Sequence, residues 1–215
     1  MNAPFDIIRR IGVVPVIAIE RTQDAVPLAD ALLEGGLPVA EITFRTVAAA
    51  EVIATMHEKR PELCLGAGTI LDLPTLDLAL KAGAAYGLAP GFDGAIVGAA
   101  LRARFPFAPG IMTPSDLTAA AAAGSRLVKF FPAGAAGGPA MLAAIAAPFA
   151  HLGLGFIPTG GISEDSMGDW LRLKAVSAIG GSWIAPTADI RDGRFADITR
   201  RAKAAVAEVA RLRAA

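Results

Sequence analysis

The sequence is poor in the side chains that most often announce chemistry. Its 215 residues include one cysteine, Cys64, two histidines, His57 and His151, and one tyrosine. A lone cysteine excludes an internal disulfide, and Cys64 lies in an apolar stretch where a small core residue is expected. The histidines fall in or just after helical patterns and read as surface residues. With no His/Cys/Asp/Glu cluster at ligand spacing, no metal site is expected. Charge is scarce as well: 19% of residues are charged, and twenty Lys+Arg balance twenty Asp+Glu. A phosphate-tracking protein carries a basic excess, so no nucleic-acid partner is expected. Long hydrophobic runs are also missing. The apolar run from Val13 stops at Glu20, far short of the ~18 residues of a membrane span. Met1 to Arg10 lacks an apolar core and ends in two arginines, so no signal peptide is expected.

What the sequence has in abundance is apolar surface: 54% of residues are hydrophobic and mean hydropathy is +0.52. With so little charge, disorder is excluded. A chain of this size buries roughly 70% of its unfolded surface, and one domain over residues 1–215 is expected. With no membrane segment to absorb it, the apolar excess must be buried on both faces of a sheet. The expectation is a globular protein of the cytoplasm.

Eight short apolar runs, at 13–19, 39–44, 64–70, 85–90, 107–112, 126–132, 155–162 and 176–184, read as strands. Helical patterns separate them, at 23–34, 47–60, 73–82, 94–102, 116–123, 139–149 and 164–173, with a final amphipathic helix at 197–213. The strands start about 23 residues apart on average, one βα unit each. Gly-terminated helices such as Lys81-Ala82-Gly83 and Ala122-Ala123-Gly124 carry the left-handed stop before the next strand. Continuous apolar strands covered by helices describe an all-parallel sheet. Eight units predict an α/β fold, a closed (β/α)8 TIM barrel with one extra N-terminal helix; an open doubly wound sheet is the alternative.

In such a barrel, function sits at the C-terminal strand ends. Alternation within Leu127-Val128-Lys129-Phe130-Phe131-Pro132 puts Lys129 on the face of Leu127 and Phe131. Facing the barrel interior, its amine would be desolvated and biased toward the neutral form that attacks carbonyls; a buried ion-pair partner is the alternative. In Val39-Ala40-Glu41-Ile42-Thr43-Phe44-Arg45-Thr46, Glu41, Thr43 and Arg45 share one parity. Glu41 can move protons and Arg45 can clamp a carboxylate, or either can serve a structural pair. Two Gly-Gly pairs, in Thr159-Gly160-Gly161-Ile162 and Gly180-Gly181-Ser182-Trp183, lie at the seventh and eighth strand ends, where barrels hold phosphates through backbone N–H groups.

Together with Gly66-Ala67-Gly68-Thr69, Ala89-Pro90-Gly91 and Pro109-Gly110-Ile111, these segments resemble the 2-keto-3-deoxy-6-phosphogluconate (KDPG) aldolases, a family some of whose members also cleave 4-hydroxy-2-oxoglutarate (KHG). The likeness extends over nearly the whole chain in order and spacing. It implies a class I aldolase with no metal or other cofactor, working through a covalent lysine imine on a phosphorylated keto-acid substrate, as a homotrimer. It assigns Lys129 to the imine and Glu41 to acid–base work. Arg45 and Thr69 would hold the substrate carboxylate, Pro90 and Phe131 would wall the pocket, and Thr159 would lie near the substrate hydroxyl. Gly160, Gly161, Gly181 and Ser182 would cradle the phosphate. Gly134, after Phe131-Pro132-Ala133, departs from the acidic residue of many relatives. A phosphogalactonate aldolase, a phosphosugar isomerase or epimerase, and a non-catalytic phosphosugar-binding barrel are the competing readings.

Overall fold

A computed structural model describes residues 3–214 of the chain. A nine-residue helix, α1 (Ala3–Ile11), leads into β1 (Val13–Ile17). There follow β2 (Val39–Thr43), β3 (Cys64–Gly68) and β4 (Tyr86–Leu88), then β5 in two pieces, Phe107–Ala108 and Gly110–Ile111. The last strands are β6 (Leu127–Phe130), β7 (Gly155–Pro158) and β8 (Ile179–Gly181). Pairing is parallel throughout: β8 with β1, β1 with β2, and onward to the first piece of β5. The second piece pairs with β6, and β6 with β7. Parallel bridges Phe156–Val176 and Thr159–Gly180 join β7 to β8 and complete the ring. Pro109 has no N–H to give the ladder, and there β5 divides. The predicted (β/α)8 barrel with its extra helix is the fold observed.

Every residue of β1, β2, β3, β4, β6, β7 and β8 is buried, as a sheet filled inside and covered outside requires. The covering helices are α2 (Ala25–Glu34), α3 (Ala49–Lys59), α4 (Leu73–Lys81), α5 (Gly94–Arg102), α6 (Pro114–Ala122) and α7 (Gly138–Ala146). They are followed by α8 (Met167–Leu171), α9 (Thr187–Arg191) and the 20-residue α10 (Phe195–Ala214). Their starts follow local chemistry. Asp72 and Asp93 accept hydrogen bonds from the first-turn amides of α4 and α5, and Thr113 with Asp116 forms a capping box on α6. Gly36, Gly83 and Gly124 take positive φ beyond the ends of α2, α4 and α6, the stop expected there. Cys64 is buried as expected, and desolvation pushes its thiol up to about 11, so it stays protonated at neutral pH.

The strands end earlier than their apolar runs. Thr69, Gly160 and Gly161 take positive φ, which turns the chain out of the extended conformation, and Pro90 and Pro132 have no N–H to donate to a neighbouring strand. The segments beyond these points form the rim loops. The helix expected over 164–173 is only the single-turn α8, because Ser163 and Ser166 tie the preceding residues into a turn: Ser163 N–H donates to Ser166 Oγ at 3.0 Å. Among the described residues no helix is long and apolar enough to cross a membrane.

Candidate active site

Lys129 and Glu41 meet inside the barrel. Each sits at the middle of its strand with its side chain on the interior face, and Nζ lies 2.8 Å from Oε1. Side-chain exposure is 6% for the lysine and 1% for the glutamate. Gly68 on β3 creates the space for the carboxylate: a Cβ there would stand 2.0 Å from Oε1. Nζ lies 5.9 Å from the centroid of the Phe131 ring, which covers one side. A buried ion pair is poor value for stability, since desolvation of both charges offsets most of their attraction. Its presence among aliphatic strands directs attention to chemistry.

Above the pair opens a cavity of about 240 Å³, lined by Lys129, Arg45, Thr69, Pro90, Phe131, Thr159, Gly160, Gly161, Gly181 and Ser182. Every residue singled out from sequence is there except Glu41, which lies beneath the lysine rather than on the wall. Val16, Thr43, Ile162 and Gly180 also line it. Thr43 carried a signal, its shared parity with Glu41 and Arg45. Val16 carried only strand alternation. A larger recess of about 580 Å³ lies between α7 and β7 at the opposite end of the barrel; its wall is mostly aliphatic and it holds no group matched to bond-breaking chemistry.

The two sides of the cavity differ in kind. On the β2–β3 side, Thr43 Oγ1 donates to the Ile17 carbonyl at 2.8 Å and accepts from Arg45 Nε at 3.1 Å. Arg45 lies just past the end of β2, exposed at the cavity mouth. Thr69 turns there with φ +61°, a left-handed conformation that a β-branched residue adopts only under strain.

On the β7–β8 side the wall is backbone. Gly160 and Gly161 take φ +94° and +75°. Their loop is pinned from outside, where Ala133 N–H donates to Thr159 O and Gly134 N–H to Gly160 O, both at 2.8 Å. Among the described residues the amides of Gly161 and Ser182 have no intramolecular hydrogen-bond partner. Unpaired N–H groups around a cavity suit an anion. At Gly181 a Cβ would fall 1.6 Å from the Trp183 ring, so only glycine fits. The following loop is held by charge: Arg201 Nε donates to Ile184 O at 2.9 Å, and Arg194 and Arg201 both bind Asp189. The Arg194 hydrogen bond, against some desolvation and with help from Arg201, holds the Asp189 carboxyl below its usual range. The helix α9 that carries Asp189 was not legible in the sequence, because five residues show no periodicity.

His57 and His151 are exposed, as expected. Among the described residues there is no group of three or more His, Cys, Asp or Glu side chains able to hold a metal ion.

Comparison with known proteins gives the class: the chain is an aldolase, a carbon–carbon lyase on a TIM-type barrel. It belongs to the KDPG and KHG aldolase family, whose model matches residues 5–201. The KHG/KDPG aldolase of Escherichia coli K12 is 42% identical over 194 residues, 90% of each chain. A KDPG aldolase from Legionella pneumophila, solved with pyruvate captured as a covalent carbinolamine intermediate, superposes with a TM-score of 0.90 at 35% identity. That match covers 94% of this chain and 97% of the other. The KDPG aldolase of Zymomonas mobilis, solved with 3-phosphoglycerate, matches with a TM-score of 0.88 at 35% identity, covering 96% of each chain.

Proposed function

We propose that the chain cleaves 2-keto-3-deoxy-6-phosphogluconate to pyruvate and glyceraldehyde 3-phosphate, and 4-hydroxy-2-oxoglutarate to pyruvate and glyoxylate, through an imine on Lys129. The observation that carries this reading is the buried Lys129–Glu41 contact at 2.8 Å beneath a cavity with a guanidinium on one side and free amides on the other. The carbinolamine in the Legionella relative and the dual name of the Escherichia coli relative support it.

The geometry suits each step. Transfer of one proton from Nζ to Glu41 leaves an amine and a carboxylic acid. The amine adds to the C2 carbonyl, and Glu41 returns the proton as the carbinolamine loses water. The protonated imine is an electron sink. When Glu41, directly or through a water, takes the C4 hydroxyl proton, the C3–C4 electrons flow into the imine and the aldehyde departs. The remaining enamine is protonated at C3, and hydrolysis frees pyruvate and Lys129. Arg45 and Thr69 hold the carboxylate, Pro90 and Phe131 flank the reacting carbons, and Thr159 faces the hydroxyl. The amides of Gly161 and Ser182 receive the phosphate, and Gly160 and Gly181, without Cβ atoms, leave it room. No metal takes part, so chelators leave turnover unchanged.

Residues 1–215 work as one domain in the cytoplasm, as a homotrimer. Exposed Val47, Leu71 and Met112 on the rim loops after β2, β3 and β5 offer apolar surface for subunits to cover. Light scattering at three times the chain mass tests the assembly. The chemistry is tested by incubating with pyruvate, reducing with borohydride and mapping the adduct by peptide mass. The expected adduct is on Lys129 and is absent from Lys129→Ala. A pyruvate adduct at another lysine, or none, sinks the proposal.

A further inference from the structure

We propose that Thr43 is a positioning residue that aims Arg45 at the substrate carboxylate, an inference that rests on the aldolase reading of the site. Thr43 is 1% exposed, yet it lines the cavity. Its hydroxyl has one proton and two lone pairs. The proton goes to the Ile17 carbonyl at 2.8 Å, which fixes the rotor and leaves a lone pair facing Arg45. Nε of Arg45 donates into that lone pair at 3.1 Å.

Two consequences follow from this relay. First, the guanidinium has no carboxylate within ion-pair distance among the described residues, so Thr43 is its one side-chain partner and sets its direction. An exposed arginine without such a partner spreads over many rotamers and must be ordered when ligand binds. Second, Nε is already engaged, so the donors left for substrate are the two terminal nitrogens. Arg45 therefore meets the carboxylate end-on, through Nη1 and Nη2, rather than side-on through Nε. The strand encodes this order directly: Glu41 lies deep with the lysine, Thr43 one alternation higher, and Arg45 at the mouth.

The test is pyruvate trapping by borohydride as a function of pyruvate concentration. Thr43→Val keeps the shape and removes the hydroxyl; its half-saturating pyruvate concentration should rise roughly two- to tenfold, with the maximal trapped fraction retained. Thr43→Ser keeps the hydroxyl and should stay near the parent. Val and Ala both deprive the Ile17 carbonyl of its donor, so Thr43→Ser is the control that keeps it; Thr43→Ala repeats the hydroxyl deletion without valine's added methyl, and thermal melts establish that each protein is folded at the assay temperature. The discriminating measurement is a double-mutant cycle. In an Arg45→Ala background, Thr43→Val should add no further shift, whereas a merely structural role would shift both backgrounds alike. Unmoved half-saturation in Thr43→Val and Thr43→Ala, or an equal shift with and without Arg45, overturns the inference. A parent protein that takes no pyruvate on Lys129 overturns the aldolase reading instead.

Discussion

The two sides of the cavity present hydrogen-bond donors by opposite means. The β2–β3 side uses side chains: a guanidinium steadied by a threonine, beside a strained Thr69. The β7–β8 side uses backbone: glycines whose missing Cβ atoms let amides line the wall. On the proposed reading, the first side holds a planar carboxylate, for which a fixed fork is selective. The second holds a tetrahedral phosphate, which accepts from several directions and suits a concave array of N–H donors. The lesson is that each side fails differently when changed. Losing a side chain removes an interaction, whereas adding one to the glycine wall displaces structure.

Glu41, below both sides, gives the largest expected effect. Glu41→Gln keeps the shape but cannot take a proton, so turnover of the phosphorylated substrate should fall about 10²- to 10⁴-fold. Pyruvate trapping on Lys129 should persist, only slower. Steady-state kinetics beside a trapping time course checks both; turnover equal to the parent would remove Glu41 from the mechanism.

Gly181→Ala probes the backbone wall. The new Cβ would occupy the space of the Trp183 ring, and the ring has to move, at roughly 1–3 kcal/mol of strain. The kcat/KM for the phosphorylated substrate should fall by about one to two orders of magnitude. Pyruvate half-saturation should stay near the parent value, since pyruvate carries no phosphate. Equal losses for both would mean that the two sides are not separate.

Arg45→Lys probes the other wall. Charge is kept, but the fork is lost. Because both ligands present the same carboxylate, pyruvate half-saturation and the phosphorylated substrate's KM should rise together, by about tenfold for one charge-assisted hydrogen bond. A rise confined to the phosphorylated substrate would assign Arg45 to the phosphate instead.

This asymmetry also explains what could be read from the sequence. Lys129 and Glu41 stood out because ions are conspicuous in strands as apolar as Leu127–Phe130 and Val39–Thr43, and strand parity placed both on the interior face. The glycine pairs were legible as a pattern, but the amides they free are backbone groups that no residue letter records. Parity placed Thr43 beside Glu41 and Arg45, but threonine is common in strands for its β-branched shape, so the letter gave its hydroxyl no role. Strand ends were overrun because apolar character continues into the rim loops. At β3 it is a dihedral angle, φ +61° at Thr69, that marks where the strand stops.

Thr69 gives the smallest effect and the finest test of the side-chain wall. A non-glycine residue in the left-handed region costs roughly 1–2 kcal/mol, while glycine's extra unfolded-state freedom costs roughly 0.5–1 kcal/mol. The difference favours Thr69→Gly by up to about 1.5 kcal/mol, a rise of up to about 3–6 °C in thermal midpoint for a chain of this length. The same change removes a hydroxyl from the cavity wall and loosens the turn beside Arg45, so pyruvate half-saturation should rise a few-fold while stability improves. Thr69→Asn, which tolerates positive φ better than threonine, should fall between the two in stability. A lower midpoint for Thr69→Gly would show that side-chain packing outweighs the strain. A higher midpoint with unchanged pyruvate binding would show that the strain serves no ligand on this side, and the contrast between the two walls would then rest on Arg45 and Thr43 alone.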